Sequence, residues 1–205
     1  MHLTICSGTT AGEDKALRTM FEARKRVFVD LLNWDVPVLA GRYEIDQFDD
    51  VHATYLILSG ADGAHLASAR LLETSRPHIL DSLFPELCTG PIPRGPAIRE
   101  ITRFCLDRNL RAADRRRARD TLVAALAAHA LGSGITAYTG VAEPGWLQQI
   151  LQFGWRCRLL GPPQQVDEAG LGALQIFIDS ETPGLLSAHG IMPVPTHAPD
   201  QRQAA

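Results

Sequence analysis

The stretch that decides the fold is Ile98–Leu131, IREITRFCLDRNLRAADRRRARDTLVAALAAHAL. Its first part, Ile98–Leu106, reads as a strand, and Ala112–Leu131 reads as a helix that Gly132 ends. Downstream, Ile135–Val141 is a strand rich in β-branched residues. Pro144–Phe153 is a helix with Pro in its first turn and Gly154 at its end. Trp155–Leu160 and Ala173–Asp179 read as further strands. Upstream, Ala53–Ser59 and Ala64–Glu73 flank the turn Gly60–Gly63 as a hairpin. Pro77–Leu87 holds a short helix before the breaker segment CTGPIPRGP. Lys15–Leu32 carries Leu17, Met20, Phe21, Val27, Phe28 and Leu31 on one helical stripe. His2–Cys6 is a short strand, and Asn33–Asp50 is a loop rich in Asp, Gly and Pro.

This order predicts an α/β (α+β) fold, a mixed sheet with helices on both faces. One domain is expected over residues 1–181. Residues 182–205, with many Pro and few anchors, are expected to form a loosely ordered tail.

Composition narrows the classes. The 205 residues are 45% hydrophobic and 21% charged, enough for one sizeable core and too apolar for general disorder. A formal charge of -3 argues against a general nucleic-acid binder. Cys6, Cys88, Cys105 and Cys157 make neither a CxxC pair nor a zinc pattern, so free thiols in a reducing cytoplasm are expected, with no metal site. The N-terminus lacks the basic and apolar regions of a signal peptide. Thr121–Ala142 has no Asp, Glu, Lys or Arg, but Gly132, Ser133 and Gly134 make it helix, turn and buried strand, not a membrane span. GxGxxG and Walker loops are absent.

Charge is unevenly placed. Between Tyr43 and Ala69 the charged residues are Glu44, Asp46, Asp49, Asp50 and Asp62, all of which are acidic. Between Arg99 and Arg119 eight Arg stand against three acids. A negative pocket and a positive surface suggest two different partners.

Arg24 lies on the apolar stripe of the first helix. A guanidinium facing a core needs carboxylates, which Glu44, Asp46 and Asp49 can supply; otherwise it snorkels to solvent. The run YEIDQFDD favours a cationic ligand or an arginine network over calcium, whose loop spacing is absent. Arg70 sits within the apolar strand HLASARLLET. Glu100 and Arg103, three apart on one strand, face opposite sides unless a β-bulge lies between them.

In order, these residues resemble the acyl-homoserine lactone synthase (autoinducer synthase) family of bacterial quorum sensing. The matching text is RKRVF from Arg24, LNW at Leu32–Trp34, EIDQFD at Glu44–Asp49, ASARLLET ending at Thr74, RPHILDSLFP at Arg76–Pro85 and EITRF at Glu100–Phe104. Arg24, Phe28, Trp34, Asp46, Asp49, Arg70, Glu100 and Arg103 occupy all eight positions of the family pattern. Arg99 stands where the family commonly has Trp, and Thr102 where it often has Ser, which keeps the hydroxyl.

The resemblance implies an N-acetyltransferase-like (GNAT) sheet, splayed to form an acyl-chain channel. It implies two substrates, an acylated acyl carrier protein and S-adenosylmethionine, with no cofactor beyond them. An N-acyl-homoserine lactone, methylthioadenosine and free carrier protein would be released. On this basis Glu100, Arg103, Arg70, Asp46 and Asp49 are expected to be catalytic, with Glu100 the general base. Arg24, Phe28, Trp34 and Thr102 are expected to bind S-adenosylmethionine, the two rings walling either the adenine or, by cation–π attraction, the sulfonium. Thr139, Val141 and Trp146 are expected near the acyl chain, although core packing is the better reading of Trp146. Arg111, Arg115, Arg116 and Arg119 suit docking of an acidic carrier protein. The histidines receive no role. The competing readings are an N-acyltransferase that uses acyl-coenzyme A and a catalytically inactive ligand-binding homologue.

Overall fold

The structure, a computed structural model, describes residues 1–7, 15–166 and 169–193. Its centre is an eight-stranded mixed sheet. The strands are β1 (His2–Ser7), β4 (Thr54–Ser59), β5 (His65–Glu73), β6 (Ile98–Leu106), β7 (Ala137–Ala142), β10 (Ala169–Phe177) and β8 (Arg156–Leu159) in spatial order, with β9 (Gln164–Val166) pairing on β10. A separate two-stranded ribbon, β2 (Val38–Leu39) and β3 (Tyr43–Glu44), lies in the acidic loop.

The β4–β5 hairpin forms as its turn residues dictate. Gly63 has φ +79, the Gly60 N–H donates to the Ala64 carbonyl at 2.9 Å, and Asp62 accepts the Ala64 N–H. Tyr55–Leu58 is buried on both faces, and alternation sorts its side chains. Leu56 and Leu58 join the cluster of Leu122, Val123 and Leu126 from α3 (Ala112–Gly132). Tyr55 and Ile57 join Leu17, Met20 and Phe21 from α1 (Lys15–Arg24). The α3 side also takes α4 (Pro144–Leu151) through Leu147 and Ile150. The α1 side takes α2 (Ile79–Ser82) through Ile79.

Two irregularities shape the site. The first helix does not run unbroken to Leu32. It is α-helical to Arg24 and continues as a π-turn over Lys25–Val29, with the Asp30 N–H on the Lys25 carbonyl at 3.1 Å. Asn33 then takes φ 56, which Asn tolerates, and the Trp34 N–H returns to the Phe28 carbonyl at 2.8 Å. The second is a β-bulge, the condition under which Glu100 and Arg103 share a face. The β5–β6 register steps from Ser68↔Cys105 to Arg70↔Thr102, an extra residue on β6, and Arg103 has φ 49. Beyond it, the parallel β6–β7 ladder comprises only Ile98, Arg99 and Glu100 against Ala137, Tyr138 and Thr139. Both strands continue past that short ladder.

The expected loose tail needs correction. Residues 182–188 form α5 (Thr182–Ala188), and Leu186 and Ile191 are buried in the α3-side core. Thr182 anchors the start, its Oγ1 accepting the Asp179 N–H at 3.0 Å. Leu186 within α5 and Ile191 just beyond it are two apolar anchors that outweigh the Pro content. Residues 194–205 of that tail lie outside the described residues. The polar segment Gln164–Val166 forms a strand that its composition did not signal. No helix among the described residues is long and apolar enough to cross a membrane.

Candidate active site

Arg24 ends α1 fully buried, so it does not snorkel. Its Nη1 and Nη2 donate to Asp49 Oδ1 and Oδ2, both at 2.8 Å, and its Nε donates to Glu44 Oε2 at 2.5 Å. This is the bidentate geometry that a planar guanidinium favours. Arg70 on β5 makes a second fork, to Asp46 Oδ1 at 2.6 Å and Oδ2 at 3.0 Å, and its Nε donates to Thr102 Oγ1 at 2.9 Å. Arg103 closes the ring, donating from Nε to Glu44 Oε1 at 3.1 Å and from Nη2 to Asp46 Oδ2 at 2.7 Å. The sequence thus pointed to the residues that meet, but not to their charge balance. Three carboxylates face three guanidiniums, so the expected acidic pocket is internally neutralised. Burial opposes ionisation of Asp49, yet Arg24 and then Arg70 hold its carboxyl well below the usual range.

The network also explains the acidic loop. Asp49 accepts the Asp46 N–H at 2.9 Å, and Asp46 accepts the Phe48 N–H at 2.8 Å, so the loop folds around the same carboxylates that meet the arginines. Tyr55 on β4, which the sequence reading passed over, donates its hydroxyl to Asp49 Oδ1 at 2.9 Å. A strand tyrosine carries no signal that separates this from core packing.

Phe28 and Trp34 stack at 4.7 Å between centroids and 14° between planes. The Arg103 guanidinium lies 5.6 Å from one ring centroid and 5.7 Å from the other. The aromatic pair therefore already faces a cation from the protein.

Glu100 stands apart from the network. It lies on the α1 and α2 side with Thr102, and the bulge turns Arg103 onto the same face, but its partner is not an arginine. Arg103 is engaged by Glu44 and Asp46. Glu100 Oε2 accepts the Ile79 N–H at 2.8 Å and Oε1 accepts the Leu80 N–H at 2.9 Å, the first two N–H groups of α2. The carboxyl is fully buried. Burial pushes it up to about 7, against the pull of those two N–H groups and of Arg70.

Thr139 and Glu100 are register partners across β6 and β7. The Thr139 hydroxyl is buried and without a hydrogen-bond partner. Val141, on the same face, packs in an apolar cluster with Leu80, Leu87 and Ala173. Trp146 is not with them. It packs on Phe104 at 4.8 Å and Phe153 at 5.8 Å in the α3-side core, because α4 lies on that face of the sheet.

The basic residues of α3 also divide. Arg111 and Arg116 are exposed. Arg115 donates to the Asp107 carbonyl at 3.1 Å. Arg119 is committed to Asp120 and lies 5.2 Å from the Phe153 ring centroid, a packing position rather than an open dock. Arg116 and Arg117 line a surface groove of about 300 Å³ with Thr121 and Met192.

Comparison with known proteins identifies the family. The autoinducer synthase family model matches residues 9–183. An acyl-homoserine-lactone synthase of Ralstonia nicotianae is 32% identical over 177 residues, covering 84% of this chain and 87% of that protein. A CoA-dependent acyl-homoserine lactone synthase, BjaI, solved with S-adenosylmethionine and isopentyl-CoA, superposes with a TM-score of 0.82 at 26% identity over 94% of this chain and 90% of that one. TofI, solved with an inhibitor and methylthioadenosine, gives 0.75 at 27% identity over 91% and 97%. A putative N-acetyltransferase from Lactobacillus plantarum, 17% identical with a TM-score of 0.57, shares the fold alone. The sheet is thus GNAT-like, and the chain belongs to the autoinducer synthase family, the acyltransferases that are acyl-homoserine-lactone synthases.

Proposed function

We propose that Glu100 is the base of amide formation between an acyl thioester and the amine of S-adenosylmethionine, which serves as a substrate with no further cofactor. The observation that carries this is a buried carboxyl near neutrality, fixed by two backbone N–H groups beside the arginine network. Such a group is half ionised at neutral pH, which suits proton abstraction. Glu100 takes a proton from the substrate ammonium. The freed nitrogen pair attacks the thioester carbonyl carbon, the C–S bond breaks, and the thiol leaves with a proton. The substrate carboxylate oxygen then attacks the γ carbon, and the C–S⁺ electron pair passes to sulfur, giving the lactone and methylthioadenosine. This second step needs alignment more than acid–base help. Arg24, Arg70, Asp46, Asp49 and Arg103 hold the loop and strands that frame the substrate. Phe28, Trp34 and Thr102 contact S-adenosylmethionine, and Thr139 and Val141 line the acyl chain.

The donor in this reading is an acylated carrier protein, docked on Arg111, Arg115 and Arg116, and the reaction is cytoplasmic. Arg119 is left out because its guanidinium is already paired and stacked. An acyl-CoA donor is the second reading, favoured by the similarity to a CoA-dependent synthase. Purified protein with S-adenosylmethionine and matched acyl-carrier-protein and acyl-CoA thioesters separates the two. Faster methylthioadenosine release with the carrier-protein thioester supports the first reading. Faster release with acyl-CoA establishes the second, and release with neither refutes the function.

A further inference from the structure

The turn that holds Glu100 is itself clasped from outside. After β5 the chain passes through Thr74 and His78 into α2, then returns along the loop 88–97 to β6. Arg94 in that loop reaches back to both ends of the turn. Its Nη2 donates to Asp81 Oδ2 at 2.5 Å, and its Nε donates to the Thr74 carbonyl at 3.1 Å. The Gly95 N–H adds a bond to Thr74 Oγ1 at 3.1 Å. The other oxygen of Asp81 accepts the His78 N–H at 2.8 Å and the Ser82 hydroxyl at 2.8 Å. His78 Nδ1 donates to the Arg76 carbonyl at 2.8 Å. The next two N–H groups along the chain, Ile79 and Leu80, are the pair on Glu100.

We propose that Arg94 and Asp81 are positioning residues of the acyl-transfer site, their ion pair fixing the turn whose two backbone N–H groups hold the Glu100 carboxylate. The effect on rate rests on Glu100 being the base; the clasp itself does not. The Arg94 side chain is 50% exposed, so the pair adds little to global stability. Its effect is local, on where the two N–H groups point. The pair also acts through charge. Around Glu100, β5 contributes Arg70, which favours the carboxylate, and α2 contributes Asp81, which opposes it. β7 offers the uncharged Thr139 in register, and His78 caps the turn between them. The two halves of the clasp therefore act on Glu100 with opposite sign. Losing the Asp81 charge makes Glu100 easier to ionise. Losing Arg94 leaves that charge uncompensated and makes Glu100 harder to ionise.

The test uses Asp81→Asn and Arg94→Gln in the full chain, labelled with ¹³C at the glutamate carboxyl. The Glu100 resonance is identified by its loss in Glu100→Gln, and its titration is followed beside the pH profile of kcat/KM. The Glu100 midpoint is expected to fall in Asp81→Asn, by roughly three-fold in proton affinity, and to rise in Arg94→Gln. A Glu100 midpoint that does not rise in Arg94→Gln overturns the proposal, because there the lost support of the turn and the uncompensated Asp81 charge both act upward. Opposite midpoint shifts with an unmoved acidic limb of kcat/KM uphold the clasp and remove Glu100 as the base.

Discussion

Glu100→Gln should change stability in a way that depends on pH, with the sign fixed by the site. Burial holds the native carboxyl at about 7, against an ordinary value of 4.5. The folded state therefore binds this proton more tightly than the unfolded state. The stability that follows is fully present below about 4.5 and is lost as pH rises through 7. Between pH 5 and pH 8.5 the loss comes to about 2.5 kcal/mol, since each pK unit is worth about 1.4 kcal/mol. Gln does not titrate and lacks this slope. It also sets an NH₂ group against one of the Ile79 and Leu80 N–H donors, a pH-independent cost of about 1–3 kcal/mol. The difference in unfolding free energy between wild type and variant should therefore shrink by about 2.5 kcal/mol from pH 5 to pH 8.5. Urea denaturation of both proteins at the two pH values measures it, and charges elsewhere cancel in the comparison. A difference that stays constant with pH would show that Glu100 is already ionised at pH 5, and the case for a base poised near neutrality would fall with it.

Two further outcomes follow from the geometry. Arg24→Met removes the buried guanidinium that Glu44 and Asp49 share, leaving Glu44 with Arg103 and Asp49 with Arg70 and Tyr55, and should cost about 3–5 kcal/mol in denaturant unfolding. Asp49, held low in the native protein, would then resist ionisation, so the deficit should widen from pH 4 to pH 7; a flat deficit below 1 kcal/mol would contradict the buried network. Charge reversal at Arg115 and Arg116 together should raise KM for an acyl-carrier-protein donor roughly tenfold at low salt and progressively less at high salt, with steady-state kinetics as the readout. An unchanged KM at low salt would move the dock off α3.

The main elements were legible because periodicity and breakers set them locally. The strand Ile98–Leu106 matches its predicted bounds, and the hairpin around Gly60–Gly63 follows from its turn chemistry. The site was legible in its membership, since charged residues within apolar strands and stripes must find partners. Its wiring was not. Nothing in the spacing of Glu100 and Arg103 shows that one goes to backbone N–H groups and the other to Glu44 and Asp46, because each choice depends on where the chain returns after 74 and after 34. The π-turn at Lys25–Val29 was hidden for a similar reason. Its apolar pattern fits a continuous helix, and only the return of Trp34 onto Phe28 calls for the wider turn. α5 was misread because Pro183 and Gly184 outweighed the pair Leu186 and Ile191, whose burial depends on α3 being there to receive them.

The site divides its charges between two physical regimes on one sheet face. In the network, each carboxylate meets guanidinium groups, which hold the Asp49 carboxyl well below the usual range despite its burial, and the network's work is to hold β3, β5, β6 and the acidic loop in one register. At Glu100 the same burial acts on a carboxyl whose hydrogen-bond partners are two backbone N–H groups, and these together with the charge of Arg70 do not offset it, so the proton affinity rises toward neutrality. The bulge at Arg103 lets one strand serve both regimes, through Glu100 and Arg103 three residues apart. It turns the Arg103 side chain onto the face that Glu100 already occupies, and directs it to the loop carboxylates instead of to Glu100. Without the bulge, regular alternation would put Arg103 in the α3-side core, where among the described residues the clustered side chains are apolar, and Glu44 and Asp46 would lose a partner.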